Sequence, residues 1–365
     1  MITTEAWVLR QGPPGPESRP GELELTTIRL PEPTGDQVLV EPLYGSWEAN
    51  MTHALERSPV DVCRQRREEH VVLGNSGVVR VLRPSPGSAL REGQLCLVMG
   101  IGDPDPHGYA KTTFAYDMRS STGLLAKRTY IAPHQLVPIP EDTAFPLERW
   151  APCLRYCTAW DNWRVAYGCW RTQMPDADPA GYLVFGWSGG VSLAQLELAR
   201  RTGFATAMTV GSQARADLVA AGGTTPVLYD RSAAPSKEKL LKDIRALADG
   251  RGVAIFLDHL GGNLHDIVLR VLGRQGVIAT CGWKIGMKLN VVRASECIGR
   301  HLHVHTHCWR VDDCPRIRDY QEATGWLPDV GPDTIYGFDE IPRLAKEYGQ
   351  NTIGSYFPVF RINPL

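Results

Sequence analysis

An α/β architecture is what the sequence predicts: a β-rich first part, a doubly wound parallel sheet of six strands, and a short C-terminal return. Three observations predict it. Residues 1 to 140 are rich in proline, glycine and short apolar runs, an all-β style of sequence. From residue 181 to residue 282 apolar strands alternate with helical patterns, which implies βαβ units and a sheet covered on both faces. A glycine-rich turn, GWSGGVS, stands between the first of those strands and its helix.

The elements justify themselves in order. DQVLVEPLY, VVLGNSGVVRVL and QLCLVMGI read as strands broken by turn residues. Pro146 to Val165 carries apolar residues at helical spacing, and PDADPA from Pro175 to Ala180 is a linker. Then follow strand GYLVFG, helix GVSLAQLELARRTG, strand ATAMTVG, helix QARADLVAAG, strand PVLYD and helix SKEKLLKDIRALADG. Strand VAIFLDHL, helix NLHDIVLRVLGRQ and strand GVIATCG complete the run, and RHLHVHTH falls where a sixth strand belongs. From Tyr336 one helix and one strand rejoin the β-rich part.

Length and charge narrow the function classes. At 365 residues the chain can bury two full cores. Lys and Arg total 39 against 40 Asp and Glu, so no basic field points to nucleic acid and no charge run to a membrane surface. The apolar runs are strand-sized, and MITTEAWVLR lacks the basic start and apolar centre of a signal peptide. Nine cysteines at irregular spacings read as reduced thiols of a cytoplasmic enzyme.

The turn Gly186-Trp187-Ser188-Gly189-Gly190-Val191-Ser192 has the setting of a dinucleotide site, strand before and helix after. Glycines there let the backbone approach a pyrophosphate, and free N–H groups at the helix start attract its charge. The alternative is a tight turn without ligand. Ser192 occupies the last fingerprint position, where glycine permits close helix–strand packing. At the end of the second strand, TVGSQAR has no carboxylate for a ribose but offers Ser212 and Arg215, which suit a 2′-phosphate. NADPH is therefore the expected cofactor, ahead of NAD.

The segment RHLHVHTHCW places His301, His303, His305 and His307 in strict alternation, on one face of a strand. Spread over about 20 Å, four imidazoles cannot share one zinc; an adjacent pair could be half of a site completed from elsewhere. As a sixth parallel strand the segment would meet a ligand only at its C-terminal end. His301 and His303 are then expected to pack structurally or face solvent, and His305 or His307 to act.

DQVLVEPLYGS, LGNSGVVRVL, APHQLVPIPED, the GWSGGVS loop, VAIFLDHLGG and FDEIPRLAKEYGQNTIGSYFPVF follow the order of a known family. The chain resembles the medium-chain dehydrogenase/reductase superfamily over nearly its whole length. That resemblance implies a GroES-like substrate domain at 1–150 and 325–365 and a Rossmann cofactor domain at 151–324. The zinc-dependent branch is not the one resembled: GSWEANMTH lacks its cysteine, Gly74-Asn75-Ser76 stands where Gly-His-Glu would, and residues 97 to 152 contain no cysteine. Within the zinc-independent branch the chain is most similar to crotonyl-CoA carboxylase/reductase-like enoyl-thioester reductases. CGWKIGMKLNVVRASECIGRHLHVHTH keeps Cys281, Gly282, Gly286 and Arg293 in that group's order. The group's active-site histidine falls at Thr306 by counting, between His305 and His307. Its Gly-Tyr-Glu corresponds to Ala115-Tyr116-Asp117, and its first-domain asparagine falls at or next to Asn50.

These shifts, and the short loop GDPDPHGYAKTTF, argue against carboxylation. What the resemblance implies is an NADPH-dependent reductase of an activated C=C bond in an enoyl-CoA or enoyl-carrier-protein thioester. It also implies a cytoplasmic homodimer. The alternatives are a quinone or enone oxidoreductase on the same fold, and a member that has lost the cofactor and acts as a partner or non-redox catalyst. The catalytic candidates are His305, His307, Asn50, Tyr116, Asp117 and Tyr44, with no metal. Gly186, Ser188, Gly189, Gly190, Val191, Ser192, Ser212, Arg215, Cys281, Gly282 and Trp283 are the cofactor candidates. Lys284, Lys288 and Arg293 could meet the phosphates of a CoA or carrier arm, or lie on a solvated face. Trp150, Trp160, Trp163 and Trp170 read as core, or as the lining of a bulky substrate pocket.

Overall fold

The computed structural model describes residues 2–30, 32–33, 35–229, 237–282, 299, 301–306 and 309–365. The chain opens with β1 (Thr3–Arg10), β2 (Leu23–Arg29), β3 (Val38–Ser46), α1 (Ala49–Glu56) and α2 (Val62–Arg66). It continues through β4 (His70–Val71), β5 (Gly77–Arg83), β6 (Leu95–Val98), β7 (Thr129–Ile131), β8 (Leu136–Pro138), α3 (Leu147–Trp150) and α4 (Cys153–Gln173). The alternating run is β9 (Leu183–Gly186), α5 (Gly190–Arg201), β10 (Ala205–Val210), α6 (Gln213–Ala221), β11 (Thr225–Leu228) and α7 (Lys237–Leu247). It ends with β12 (Val253–Leu257), α8 (His265–Val271), β13 (Leu272–Thr280) and β14 (Leu302–His305). The tail holds α9 (Asp313–Thr324), β15 (Ile335–Tyr336), α10 (Ile341–Gly349) and β16 (Val359–Arg361). No helix among the described residues is long and apolar enough to cross a membrane.

Contacts divide the chain into two units, residues 1–157 with 309–365, and residues 158–308. The first is the β-rich, GroES-like part. Its sheets are β2-β1-β4 and β15-β16-β3-β5-β6-β8, with β7 also on β3. The return from the C-terminus is real: β16 runs antiparallel to β3, Phe360 opposite Gly45. The second unit is a six-stranded sheet in the order β11-β10-β9-β12-β13-β14, parallel throughout. Numbered from its own first strand this is 3-2-1-4-5-6, the Rossmann order.

Some details differ from the sequence reading. The second unit closes at residue 308 instead of 324, because α9 belongs to the first unit. Glu322 takes a hydrogen bond from Thr143 Oγ1 at 2.7 Å, and Arg318 donates to the Pro138 carbonyl. No apolar stripe marks this helix in the sequence, since it buries little besides Cys314, Ile317 and Gln321. Its Pro315 sits in the first turn, where a missing N–H costs nothing. The helix expected over 263–275 ends at Val271, and β13 begins at Leu272. The apolar period runs on through Leu272, but Leu272 pairs with Val253, and Gly252 and Gly273 lie so close that a Cβ on Gly252 would sit 2.4 Å from Gly273 Cα. The strand read as 253–260 stops at Leu257, because Asp258 Oδ1 accepts from the amides of Leu260 and Gly261 and turns the chain.

Candidate active site

Register brings the ends of four parallel strands to one edge. Gly186 lies beside Leu257, Leu257 beside Ala279, and Thr280 beside His305. Backbone bonds extend the alignment one residue further: Trp187 donates to the Leu257 carbonyl, Asp258 to Ala279, and Thr306 to Thr280. The carboxyl edge of such a sheet is where open α/β folds hold ligands.

The glycine-rich turn sits at this edge and opens α5. A Cβ added at Gly189 would meet nothing within 4 Å, so the turn faces open space at the start of a twelve-residue helix. Ser188 donates its amide to Thr209 Oγ1 at 3.1 Å, and Ser188, Gly189 and Val191 are half-buried. Ser192 points the other way. It is fully buried, and its Cβ would lie 3.4 Å from a Cβ on Gly186, so serine serves as the small packing residue at the helix–strand contact. Its hydroxyl has no hydrogen-bond partner among the described residues. At the next strand Ser212 caps α6, accepting the Arg215 amide at 3.4 Å, and a Cβ on neighbouring Gly211 would meet no atom.

Behind the edge runs a hydrogen-bonded chain whose direction is fixed by its amides. Asn162 Nδ2 donates to the Thr280 carbonyl at 3.0 Å and to Thr306 Oγ1 at 3.1 Å, leaving its Oδ1 to accept from Gln195 Nε2 at 2.8 Å. Gln195 Oε1 then accepts from His259 Nε2 at 2.8 Å, so His259 Nδ1 is the acceptor facing Cys281 Sγ at 3.2 Å. Asn162 and Gln195 are wholly buried. Burial pushes the Cys281 thiol up, with Asp161 adding to it, so Cys281 is a donor thiol.

A second polar group flanks the same strands. Thr280 Oγ1 lies 2.9 Å from His303 Nε2 and 2.9 Å from His305 Nδ1. His265 Nδ1 pairs with Asp258 Oδ2 at 3.0 Å, and its ring lies 6.2 Å from that of His303. Burial opposes the charge on Asp258, yet His265 and the amides of Gly261 and Leu260 hold its pKa below the usual carboxylate value.

These geometries accompany clear likenesses. Residues 190–327 match the family model described as zinc-binding dehydrogenase. A crotonyl-CoA carboxylase/reductase, AntE, in complex with NADP superposes with a TM-score of 0.82 at 18% identity, covering 98% of this chain and 94% of that one. The 2-octenoyl-CoA carboxylase reductase CinF, in complex with NADP and 2-octenoyl-CoA, gives 0.79 at 19% over 99% and 88%. An alcohol dehydrogenase from the archaeon Aeropyrum pernix gives 0.77 at 16% over 99% and 100%. The chain has the medium-chain dehydrogenase/reductase fold. No curated protein sequence matches it.

The first unit of this medium-chain fold holds four of the expected residues, Tyr44, Asn50, Tyr116 and Asp117. Tyr44 is buried in β3, where burial pushes its phenol up, Glu148 adds to the rise and Arg361 opposes it. Asp117 is spent locally: its Oδ1 accepts the Thr113 amide at 2.5 Å. Tyr116 packs against the apolar core of the unit, and burial with Asp117 nearby pushes its phenol to about 12. Ala115 takes φ 57°, a left-handed conformation that suits the glycine of the resembled motif.

Asn50, in the first turn of α1, has a buried Oδ1 without a partner among the described residues. So do Ser46 Oγ, Glu48 Oε1 and both side-chain heteroatoms of Asn75. Ser46 donates its amide to the Ser76 carbonyl, which brings the end of β3 to the loop before β5. Orphaned buried polar atoms are costly and concentrate at functional sites.

Trp283, Lys284, Lys288, Arg293 and His307 lie outside the described residues. Trp150 packs edge-on against Phe145 in the first unit, whereas Trp163 and Trp170 pack against Phe204 in the second. Among the described residues no three His, Cys, Asp or Glu side chains gather as a metal site.

Sequence patterns do not single out Asn162, Gln195, His259, Thr280 or the Asp258–His265 pair. Nor do they show the Glu48–Arg155 ion pair in the first unit. A usable signal existed only for Asp258-His259, two polar residues directly after the apolar strand VAIFL.

His259 makes the chain acid-sensitive. Burial pushes its imidazole down to about 4; Asp258 opposes the shift and His305 adds to it. Unfolded, the ring would titrate near 6.5. The part of the stability that depends on neutral His259 is therefore complete above about pH 6.5 and falls as pH drops toward 4, by roughly 3 kcal/mol. Urea unfolding at pH 7 and pH 4.5 should show that fall, and His259→Gln should shrink it. An equal fall in both proteins would remove His259 as the cause.

Proposed function

We propose that the chain is an NADPH-dependent reductase of an activated C=C bond, acting on an enoyl-CoA or enoyl-carrier-protein thioester. The observation that carries the reading is the open turn at Gly189, at the head of α5 and on the same sheet edge as Thr280, Cys281 and His305. Gly186, Ser188, Gly189, Gly190 and Val191 would hold the pyrophosphate, with Ser192 packing behind the turn instead of meeting the cofactor, and Ser212 and Arg215 would hold the 2′-phosphate. NADPH, when bound there, would supply the hydride for the β-carbon. The chain's own work is to orient the alkene, stabilise the developing enolate and deliver a proton to the α-carbon. The backbone of Cys281 and Gly282 would hold the nicotinamide end, and His305 would donate the proton. Asn50, with its orphaned Oδ1, and Tyr44 and Tyr116, with phenols held protonated, are the first-unit groups for substrate.

Zinc has no part in this proposal. Ser76 Oγ is committed to the Ala151 carbonyl at 2.8 Å and to the Leu154 amide, and neither it nor the Asn75 amide replaces a thiolate or imidazole. The seven described cysteines are free, which suits a cytoplasmic enzyme; a homodimer completes the reading.

The test adds NADPH and a panel of enoyl-CoA and enoyl-carrier thioesters, with and without CO2, and follows absorbance and product mass. Reduction without carboxylation is the expected result. NADPH binding with no thioester reduced would move the assignment to a quinone or enone reductase.

A further inference from the structure

Thr280 has one hydroxyl hydrogen and three neighbours: His303 Nε2 and His305 Nδ1 at 2.9 Å each, and the Val304 carbonyl at 3.3 Å. The side chain is buried, while both imidazoles reach solvent. With one imidazole donating to Oγ1 and Oγ1 donating to the other, the three groups form a directed bridge. The arrangement follows from register. Thr280 stands opposite His305, and alternation along β14 returns His303 to the same face.

We infer that Thr280 joins His303 and His305 into one proton-delivery unit, in which His303 holds the proton that His305 hands to substrate. This rests on the reductase reading above. In the delivering step protonated His303 gives its Nε2 proton to Thr280 Oγ1, Oγ1 gives its own to His305 Nδ1, and His305 releases its Nε2 proton to the α-carbon. One proton leaves His303 and one reaches substrate; His305 stays neutral and changes tautomer. Solvent then protonates His305 Nε2, and the Nδ1 proton returns through Oγ1 to recharge His303.

Charge repulsion limits the pair to at most one extra proton. His265, with Asp258 behind it, faces His303, and His259 lies near His305. Burial, His265 and His305 all bring the His303 pKa down, and Asp258 opposes them. A second cation across one hydroxyl would be repelled strongly, so the two rings should titrate as a coupled system. His301 and His303 therefore part company: strand alternation alone groups them as packing or solvent-facing, and the structure puts His303 on the Thr280 hydroxyl.

The test has two arms on the full-length chain. Histidine-resolved NMR titration of wild type, Thr280→Val and Thr280→Ser needs neither cofactor nor substrate. Coupled titration of His303 and His305 in wild type and Thr280→Ser, with the coupling weakened in Thr280→Val to the charge repulsion alone, is expected. Independent curves in wild type overturn the inference, whatever the enzyme reduces. In the second arm, with a thioester that wild type reduces, Thr280→Val and His303→Gln should lower kcat about tenfold or more with KM little changed. The pH of half-maximal kcat should move, and Thr280→Ser should restore most of the turnover. Unchanged kcat and pH profile in Thr280→Val would overturn it. Wild type that binds no NADPH defeats the reductase reading separately.

Discussion

Arg155→Met should destabilise the chain by about 3–5 kcal/mol, the largest loss expected from a single substitution here. Arg155 and Glu48 form an ion pair at 2.9 Å with each side chain 7% exposed. The guanidinium also donates to the carbonyls of Tyr356 at 2.6 Å and Trp47 at 2.5 Å, tying the C-terminal segment to the end of β3. Burial opposes its charge, but Glu48 and Tyr348 more than offset that and raise its pKa, so the cation is retained. Methionine would strand the Glu48 carboxylate, whose Oε1 already lacks a partner among the described residues. Urea unfolding at pH 7 measures the loss. Glu48→Leu combined with Arg155→Met should recover a large part, since an apolar pair removes both buried charges. A loss below about 1 kcal/mol would mean that water reaches the pair, as at an exposed bridge.

Gly189→Asp should weaken NADPH binding by about a hundredfold or more while leaving the fold intact. The backbone at Gly189 is extended, with φ 170°, a conformation any residue adopts, and a Cβ there meets nothing. No folding penalty is expected beyond about a degree or two in Tm, on the order of a surface change. A carboxylate at the start of α5 would stand where a diphosphate must approach, replacing attraction by repulsion. A hundredfold loss is about 2.7 kcal/mol. Fluorescence titration with NADPH and a thermal melt together decide it. Unchanged affinity would show that the cofactor does not use this turn.

Most of the second unit was legible because each strand and helix there carries its own period. GYLVFG, ATAMTV and VAIFL are apolar runs of strand length, and the intervening helices repeat apolar residues at a period of about 3.6. Boundaries failed where a tertiary contact overrode the period, as at Leu272. The positions of the glycine turn, at the head of α5, and of His305, at the end of β14, were legible from local sequence and strand order. Asn162 and Gln195 were not. Each is a buried polar residue whose meaning lies in distant partners, 33 and 118 residues away for Asn162 and 33 and 64 for Gln195. No local pattern encodes such a pairing.

The cysteines give the chain a built-in clock. Six of the seven described thiols are buried, Cys169 being the partly exposed one. Burial pushes Cys63, Cys157 and Cys281 up, and Cys96 and Cys153 to about 12. Alkylating reagents attack the thiolate, which these sites scarcely populate at neutral pH. Each buried sulfur should therefore react only after the surrounding backbone opens, at a rate that the reagent's own chemistry does not set when labelling outpaces reclosing. Mass spectrometry of the alkylated peptides would then time the opening of the two units separately, Cys63, Cys96 and Cys153 for one and Cys281 for the other.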